Sequence, residues 1–447
     1  MSLVNNLFKT ITELESDIDL NNLNDIFKLI SILKKKSIWS EQLSCLFQIK
    51  INKVRNKIKR KQVIFNENHL EKYKIKIIGN LRSANNCFIK IPKKIFSKII
   101  IKQISQGGFF ICILSINGDI YSCGSNSFGQ LGIGTNIDET KKFKKLNISN
   151  CNYICCGYSY TLAKTMDNNM YSWGAGENGR LGQGHDKDIY YPTKLPYDFK
   201  TILNICAGSV HTLCLTINGN IYSWGQKYYT GHNNKEDVLL PRKLIINNND
   251  SIKIYRICVG IGGYHTIVIT EYNEIYSWGH NRVGQLGISP EKNIMKNDTD
   301  SGLTVIPLPT KIKQNLDKYL NILQIACGWG HTIILYENGC VWTCGRNCSG
   351  QLGFDQSICK ENETTNYMDT LTEILFFKDK KIIQVFAGGQ YSGAVDDNGD
   401  IYMWGNNSYQ NIQKLDKNIV YTVNPTKINI SKPSLISCGS NSTIFLH

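Results

Sequence analysis

Ala207-Gly-Ser-Val-His-Thr-Leu-Cys-Leu-Thr-Ile-Asn-Gly-Asn-Ile-Tyr-Ser-Trp-Gly225 decides the reading of this chain, because close copies of it recur from about residue 104 to the last residue. Aligned on His211, the copies place Phe110, Tyr160, His265, His331, Tyr391 and Ser442 in the same slot, at spacings of 50, 51, 54, 66, 60 and 51 residues. Fourteen residues after each of the first six slots stands a glycine: Gly124, Gly174, Gly225, Gly279, Gly345 or Gly405. Eight residues after each slot stands Gly118, Asn168, Gly219, Asn273, Gly339 or Gly399. A fixed offset filled only by residues that tolerate a positive φ marks a tight hairpin turn. Leu213 and Leu215 alternate before it, and Ile221 and Tyr222 open a β-rich run after it, so each copy reads as a β-hairpin followed by a longer connection.

A period near 50 overrides the two or three domains that 447 residues would otherwise suggest, and points to one repeat array. No stretch approaches 18 consecutive apolar residues, and the N-terminus lacks the basic and apolar regions of a secretory signal, so we expect an intracellular protein, cytoplasmic or nuclear, without membrane insertion. The 16 cysteines follow the repeat rather than pairing. Cys156, Cys327 and Cys438 take a small slot before a glycine, while Cys123 and Cys344 stand where other copies have Trp. Cys340, Cys344 and Cys348 are spaced too widely for a structural zinc knuckle, so no metal and no cofactor is expected. Net charge is +15, with Lys and Arg crowded into 50–102 and again at Lys141, Lys142, Lys144 and Lys145. That excess suits nucleic acid, an acidic protein surface or anionic lipid, and equally a composition rich in Lys, Asn and Ile throughout.

Residues 1–62 carry no copy of the repeat and read as a helical, basic-ended extension, with Leu3, Leu7, Ile11 and Leu14 at helical spacing and a second helix through Leu23, Ile26, Phe27, Ile30 and Leu33. Leu23–Leu33 followed by a helix with Trp39 resembles an F-box, without its Leu-Pro start. The segment around Lys57, Lys59, Arg60 and Lys61 reads either as a contact for acidic partners or an import signal, or as a solvated helix face.

The last copy stops five residues past its reference position, whereas Tyr73-Lys-Ile-Lys-Ile-Ile-Gly79-Asn80 has the character of the missing second half. The simplest resolution is a ring spanning 73–447 in which N-terminal strands complete the C-terminal unit, leaving only short sheet edges. Its units fall near 104–153, 154–204, 205–257, 258–324, 325–384 and 385–434, with 435–447 completed by 73–100. Gly-Gln-Leu-Gly or a close form follows at 129–132, 179–182, 284–287 and 350–353; it is absent after Gly225 and Gly405, and the insertions at roughly 288–320 and 354–380 read as polar loops. Gly174-Ala-Gly176-Glu-Asn-Gly179 satisfies a dinucleotide-binding pattern, but its sister copies mark it as a turn of the repeat.

The pattern Gly-x-x-His-Thr, then Asn-Gly-x-Ile-Tyr-Ser-Trp-Gly and Gly-Gln-Leu-Gly, resembles the repeat of the regulator of chromosome condensation family over about residues 73–447. The resemblance implies an all-β, seven-bladed β-propeller closed by shared N- and C-terminal strands, here with a small α-helical N-terminal extension. Members include the exchange factor for the small GTPase Ran, ubiquitin ligases, a plant ultraviolet-B photoreceptor and many adaptors, so fold alone leaves function open. In the exchange factor, acidic residues just before the histidine slot engage the GTPase; here those pairs are Gly108-Phe109, Tyr158-Ser159, Ser209-Val210, Gly263-Tyr264, Trp329-Gly330, Gly389-Gln390 and Ser440-Asn441, none acidic. The photoreceptor repeats Gly-Trp-Arg-His-Thr, and here a single Gly328-Trp-Gly-His-Thr332 occurs. His211, His265 and His331 share their slot with Phe110 and Tyr160, which argues for a structural role and against any catalytic one. These observations point to a non-enzymatic scaffold or adaptor, a monomeric propeller binding a protein partner through Phe109, Tyr158, Tyr264 and Trp329. Nucleotide exchange on a Ran-like GTPase, F-box-like ubiquitin adaptor work and chromatin association stay open as alternatives.

Overall fold

The computed structural model describes residues 75–79 and 99–446, apart from residues 136, 200, 248, 291–303, 314–320, 363–364, 411 and 413–418. The helical reading of 1–62, its F-box-like segment and the basic residues Lys57, Lys59, Arg60 and Lys61 lie outside the described residues. No described helix is long and apolar enough to cross a membrane.

The hairpin read from sequence is present in every full copy. His211–Thr216 runs antiparallel to Ile221–Gly225 with His211 opposite Gly225, and the turn is closed by the Gly219 amide donating to the Thr216 carbonyl at 3.0 Å. Gly219 has φ +74, and Asn168 and Asn273 meet the same demand at φ 60 and 62. The connection between hairpins holds two more strands that periodicity did not reveal. One is an outer strand such as Val238–Leu244, paired to Ile221–Gly225; the other is an inner strand such as Ile202–Ala207. The outer strands of the first four blades are sheet edges, and their sequences answer edge chemistry rather than core chemistry: Glu139–Lys145 carries four lysines, while Ile189–Lys194, Val238–Leu244 and Val305–Lys311 contain Pro192, Pro241 and Pro309. The two supposed loop insertions therefore need correction. They contain the outer strands Val305–Lys311 and Thr365–Glu373, and the latter gains a fifth strand, Lys360–Asn362.

Six antiparallel sheets of four or five strands result, at 101–145, 151–194, 202–244, 254–311, 322–373 and 382–431, each a complete blade. A further three-stranded sheet joins Ile75–Gly79 to Ser442–Leu446 and Leu435–Cys438, with Ile75 opposite Leu446. It packs on both sides: Ile78 and Phe445 join a core with Met403 of the sixth blade, and Ile444 and Leu446 join one with Ile111 of the first. Gln106 ties that second contact, donating to the Ser437 carbonyl at 2.6 Å and accepting from the Ser442 hydroxyl at 2.8 Å.

The cores lie between neighbouring blades, and the repeat's signature residues are what reach across. Trp224 is fully buried and donates from Nε1 to the Arg180 carbonyl of the preceding blade at 3.0 Å; Trp173, Trp278 and Trp404 do the same to Gln130, Tyr229 and Gln351. Cys344, in a Trp slot, still points its thiol at the Gln285 carbonyl, at 3.7 Å. The last glycine of the Gly-Gln-Leu-Gly turn leaves room for the next blade's indole: a Cβ on Gly182 would stand 2.8 Å from Trp224 Nε1. Gly231 does this for Trp278 in the third blade, so the space-making glycine survives where the rest of the motif is gone.

Gly260 shows the same economy between the fourth and fifth blades, since a Cβ there would lie 2.2 Å from the Gly328 carbonyl oxygen. A backbone obstacle cannot rotate away, so Gly260→Ala is expected to lose about 2–3 kcal/mol by forcing the two blades apart. An unchanged urea midpoint would show that this contact carries no such constraint.

Candidate functional site

The loops joining each inner strand to its hairpin lie together at one end of the ring. In most copies they are three-residue steps, with Gly107, Gly157, Gly208, Gly328, Gly388 and Gly439 each donating to the carbonyl of the residue three later at 2.8–3.0 Å. Backbone bonds also stitch neighbouring loops: Gly108 to Tyr158, Tyr158 to Gly208, Ser209 to Gly263, Trp329 to Gly389 and Gly389 to Ser440. The fourth copy departs. Five positions separate Gly260 from His265, against three between Gly208 and His211, and the loop is closed by Gly263 donating to Gly260 at 2.8 Å. The spacing of 54 carried this signal, but alignment on the histidine alone hid where the extra residues fall.

The four aromatic residues proposed from sequence have unequal situations. Phe109 and Tyr158 are half-buried and meet edge to face at 6.0 Å. Tyr158 and Trp329 converge on Gly262 of the extended loop, where a Cβ would stand 2.5 Å from Trp329 Nε1 and 3.0 Å from Tyr158 Cδ2. Trp329 also lies against Gly389, and its Nε1 is buried without a hydrogen-bond partner. These three rings pack largely on neighbouring loops. Tyr264 differs: it is 38% exposed and leans on Tyr229 at 5.3 Å between centroids. Tyr228 and Tyr229 were missed by sequence reasoning. They belong to Gln226-Lys-Tyr-Tyr-Thr-Gly-His232, which replaces the usual turn, and with Val210 and Val305 they form a small apolar cluster separate from the blade cores. Burial, then the neighbouring Tyr264 and Tyr228, push the Tyr229 phenol up to about 12, and burial likewise raises Tyr158, so both act as neutral rings.

One cation lies against these rings, and two more stand on turns bonded to the same loops, where the His280 amide donates to the Tyr264 carbonyl at 2.9 Å and the Arg346 amide to the Gly330 carbonyl at 2.8 Å. Lys227 Nζ stands 4.9 Å from the Tyr228 ring centroid, Arg282 is exposed, and half-buried Arg346 holds its Nε without a partner. His280, hydrogen-bonded to Gln285 at 2.7 Å, is lowered to about 4, first by burial and then by Arg282 and Arg346.

The recurring histidines sit one per blade and link each blade to the next. His211 Nε2 meets Thr266 Oγ1 at 2.9 Å, His265 meets Thr332 at 3.1 Å and His331 meets Ser392 at 3.0 Å. The Thr332 and Ser392 hydroxyls give their protons to the Gln285 and Gln351 carbonyls, so the imidazole Nε2 must donate. Tyr160 makes the equivalent link to Thr212 at 2.9 Å, which explains how ring types interchange in this slot. Among the described residues no three His, Cys, Asp or Glu side chains gather as a metal site. The dinucleotide-like run is a short 3-10 turn, Glu177–Gly179, leading into Arg180, which pairs with Glu177 at 2.8 Å rather than opening a long helix.

Comparison with known proteins agrees with this architecture. Residues 90–445 match the RCC1-like domain. The Arabidopsis thaliana ultraviolet-B receptor UVR8 is 30% identical over 281 residues, covering 62% of this chain and 60% of that protein. The human E3 ubiquitin-protein ligase HERC2 is 25% identical over 388 residues, covering 82% of this chain but 7% of the ligase. The chain thus spans less than two thirds of either relative. Among solved structures, Prp20p from Saccharomyces cerevisiae, described with its binding to Gsp1p and histones, shares the fold at TM-score 0.68 and 22% identity, over 84% of this chain and 91% of that one. With the family matched over most of its length and the interlocked hairpins in place, this chain belongs to the RCC1-like domain family.

Proposed function

We propose that this protein is a non-enzymatic interaction scaffold whose recognition face is the loop cluster beside the histidine slots, and that its three-stranded sheet serves as the seventh blade of a monomeric propeller. The observation that carries the reading is Tyr264: an extended loop holds its ring over Tyr229, exposed, at a place where the other blades close without it. Large aromatic side chains in such positions anchor protein partners. Phe109, Tyr158 and Trp329 support that face by holding the loops in place. Exchange activity fits less well, because no loop here offers a carboxylate in the pair preceding the slot. A cytoplasmic or nuclear site of action and the absence of any cofactor complete the proposal.

Tyr264→Ala tests it. Partners captured by the full chain from native cells, identified and quantified, are expected to fall about ten-fold or more, with thermal melting within about 0.5 kcal/mol of the parent. Undiminished capture would overturn this face as the recognition site. A purified small GTPase releasing nucleotide faster in the presence of the chain would replace the scaffold reading with exchange.

A further inference from the structure

The repeat departs from its own pattern twice in the same place. In the third copy Tyr228 and Tyr229 replace the usual turn, and in the fourth copy the longer loop carries Tyr264; the 5.3 Å between Tyr229 and Tyr264 brings the two departures together. The sixth copy also loses the usual turn, but without a tyrosine pair, and its slot loop keeps the short form, so the fold requires neither the pair nor the longer loop. Among the described residues, Lys227, Arg282 and Arg346 make no ion pair with the face's own acids. Asp237 accepts from the Lys227 backbone amide and from Asn178, and Asp369 is held by Lys360 at 2.7 Å. Arg282 lies two residues after His280, whose backbone amide donates to the Tyr264 carbonyl at 2.9 Å, while the Arg346 amide donates to the Gly330 carbonyl at 2.8 Å and its Nε has no partner.

Resting on the scaffold reading above, we propose that this face takes an acidic segment of a partner protein, its carboxylates received by Lys227, Arg282 and Arg346 and its apolar side chains by Tyr228, Tyr229 and Tyr264. Guanidinium groups pair with carboxylates in a directional fork, and complementary charge speeds and orients docking. A nucleic acid fits less well. Strong backbone binding draws on about six to ten phosphate contacts, whereas this site offers Lys227, Arg282 and Arg346 beside its tyrosines.

The test uses the full chain and a fluorescein-labelled random copolymer of Glu and Tyr, read by anisotropy. A Lys and Tyr copolymer and an oligo-dT strand are the controls. The Glu-containing polymer should bind, bind more weakly as salt rises, and lose about ten-fold in affinity with Arg282→Glu and again with Tyr264→Ala. Arg282 is exposed, so its variant should melt like the parent. Equal binding of the Lys copolymer, tighter binding of oligo-dT, or an Arg282→Glu variant with full affinity would each overturn the acidic-partner proposal. If the Glu polymer fails to bind while Tyr264→Ala still reduces cellular capture, the partner's acidity is wrong and the scaffold stands. Failure of both removes both.

Discussion

Acidifying the protein from pH 7 to about pH 4.5 is expected to remove several kcal/mol of folding stability, through His211, His265 and His331. Burial lowers their imidazoles from 6.5 to about 3, 3 and 4. The sign follows from proton counting. Above 6.5 neither the folded nor the unfolded chain binds these protons, so the full stability is present. Below 6.5 the unfolded chain takes up protons that the folded chain refuses, and stability falls until the folded values are reached. Two pH units below 6.5, each refused proton costs about 3 kcal/mol. His232 and His280, each lowered to about 4 chiefly by burial, act in the same direction. Urea unfolding at a series of pH values measures the slope. His211→Tyr gives the decisive comparison, because Tyr160 shows that a phenol in this slot can reach the next blade's Thr. The variant should keep most of the stability at pH 7 and show a shallower decline below 6.5. An unchanged slope would mean that His211 is not among the groups responsible.

Trp224→Ala is expected to cost about 3–5 kcal/mol, the range for removing a large buried ring that leaves a cavity behind. The indole is fully buried in a core built from two blades, with Tyr160 and Leu162 on one side and Ile202 and Ile205 on the other, and Phe199 at 6.1 Å. Its loss opens the contact between blades rather than a space within one. Trp224→Phe separates volume from hydrogen bonding. It keeps a ring and drops the Nε1 donor, but the Arg180 carbonyl still accepts from Thr212 at 2.9 Å, so the loss should be about 1–2 kcal/mol. Chemical denaturation of both variants is the measurement. If Phe costs as much as Ala, the hydrogen bond rather than the packed volume holds these blades together.

Both predictions rest on residues visible in the sequence, yet their reasons were not. The hairpin of Ala207–Gly225 could be read because a turn with φ above zero admits Gly219, Asn168 or Asn273 and little else, and because Leu213 and Leu215 alternate. The pairing of Ile75–Gly79 with Ser442–Leu446 could be anticipated because a half-unit at each end of a repeat has one economical completion. The outer strands were invisible. Glu139–Lys145 buries only Phe143 and Ile189–Lys194 buries no side chain fully, so edge protection rather than alternation governs their composition.

The sequence by itself determined the repeat, its hairpins and the joining of its ends, since those follow from local backbone chemistry repeated at fixed offsets. Only the tertiary structure decided what each signature residue is for. The tryptophans act on the preceding blade, and the turn glycines and the histidine slot on the next, each about 50 residues away along the chain. It also sorted the four aromatic candidates, leaving Tyr264 open and folding Phe109, Tyr158 and Trp329 onto neighbouring loops. It brought Tyr228 and Tyr229 to Tyr264 from a different copy. Periodicity cannot report such meetings, because it measures separation along the chain, and packing depends on separation in space.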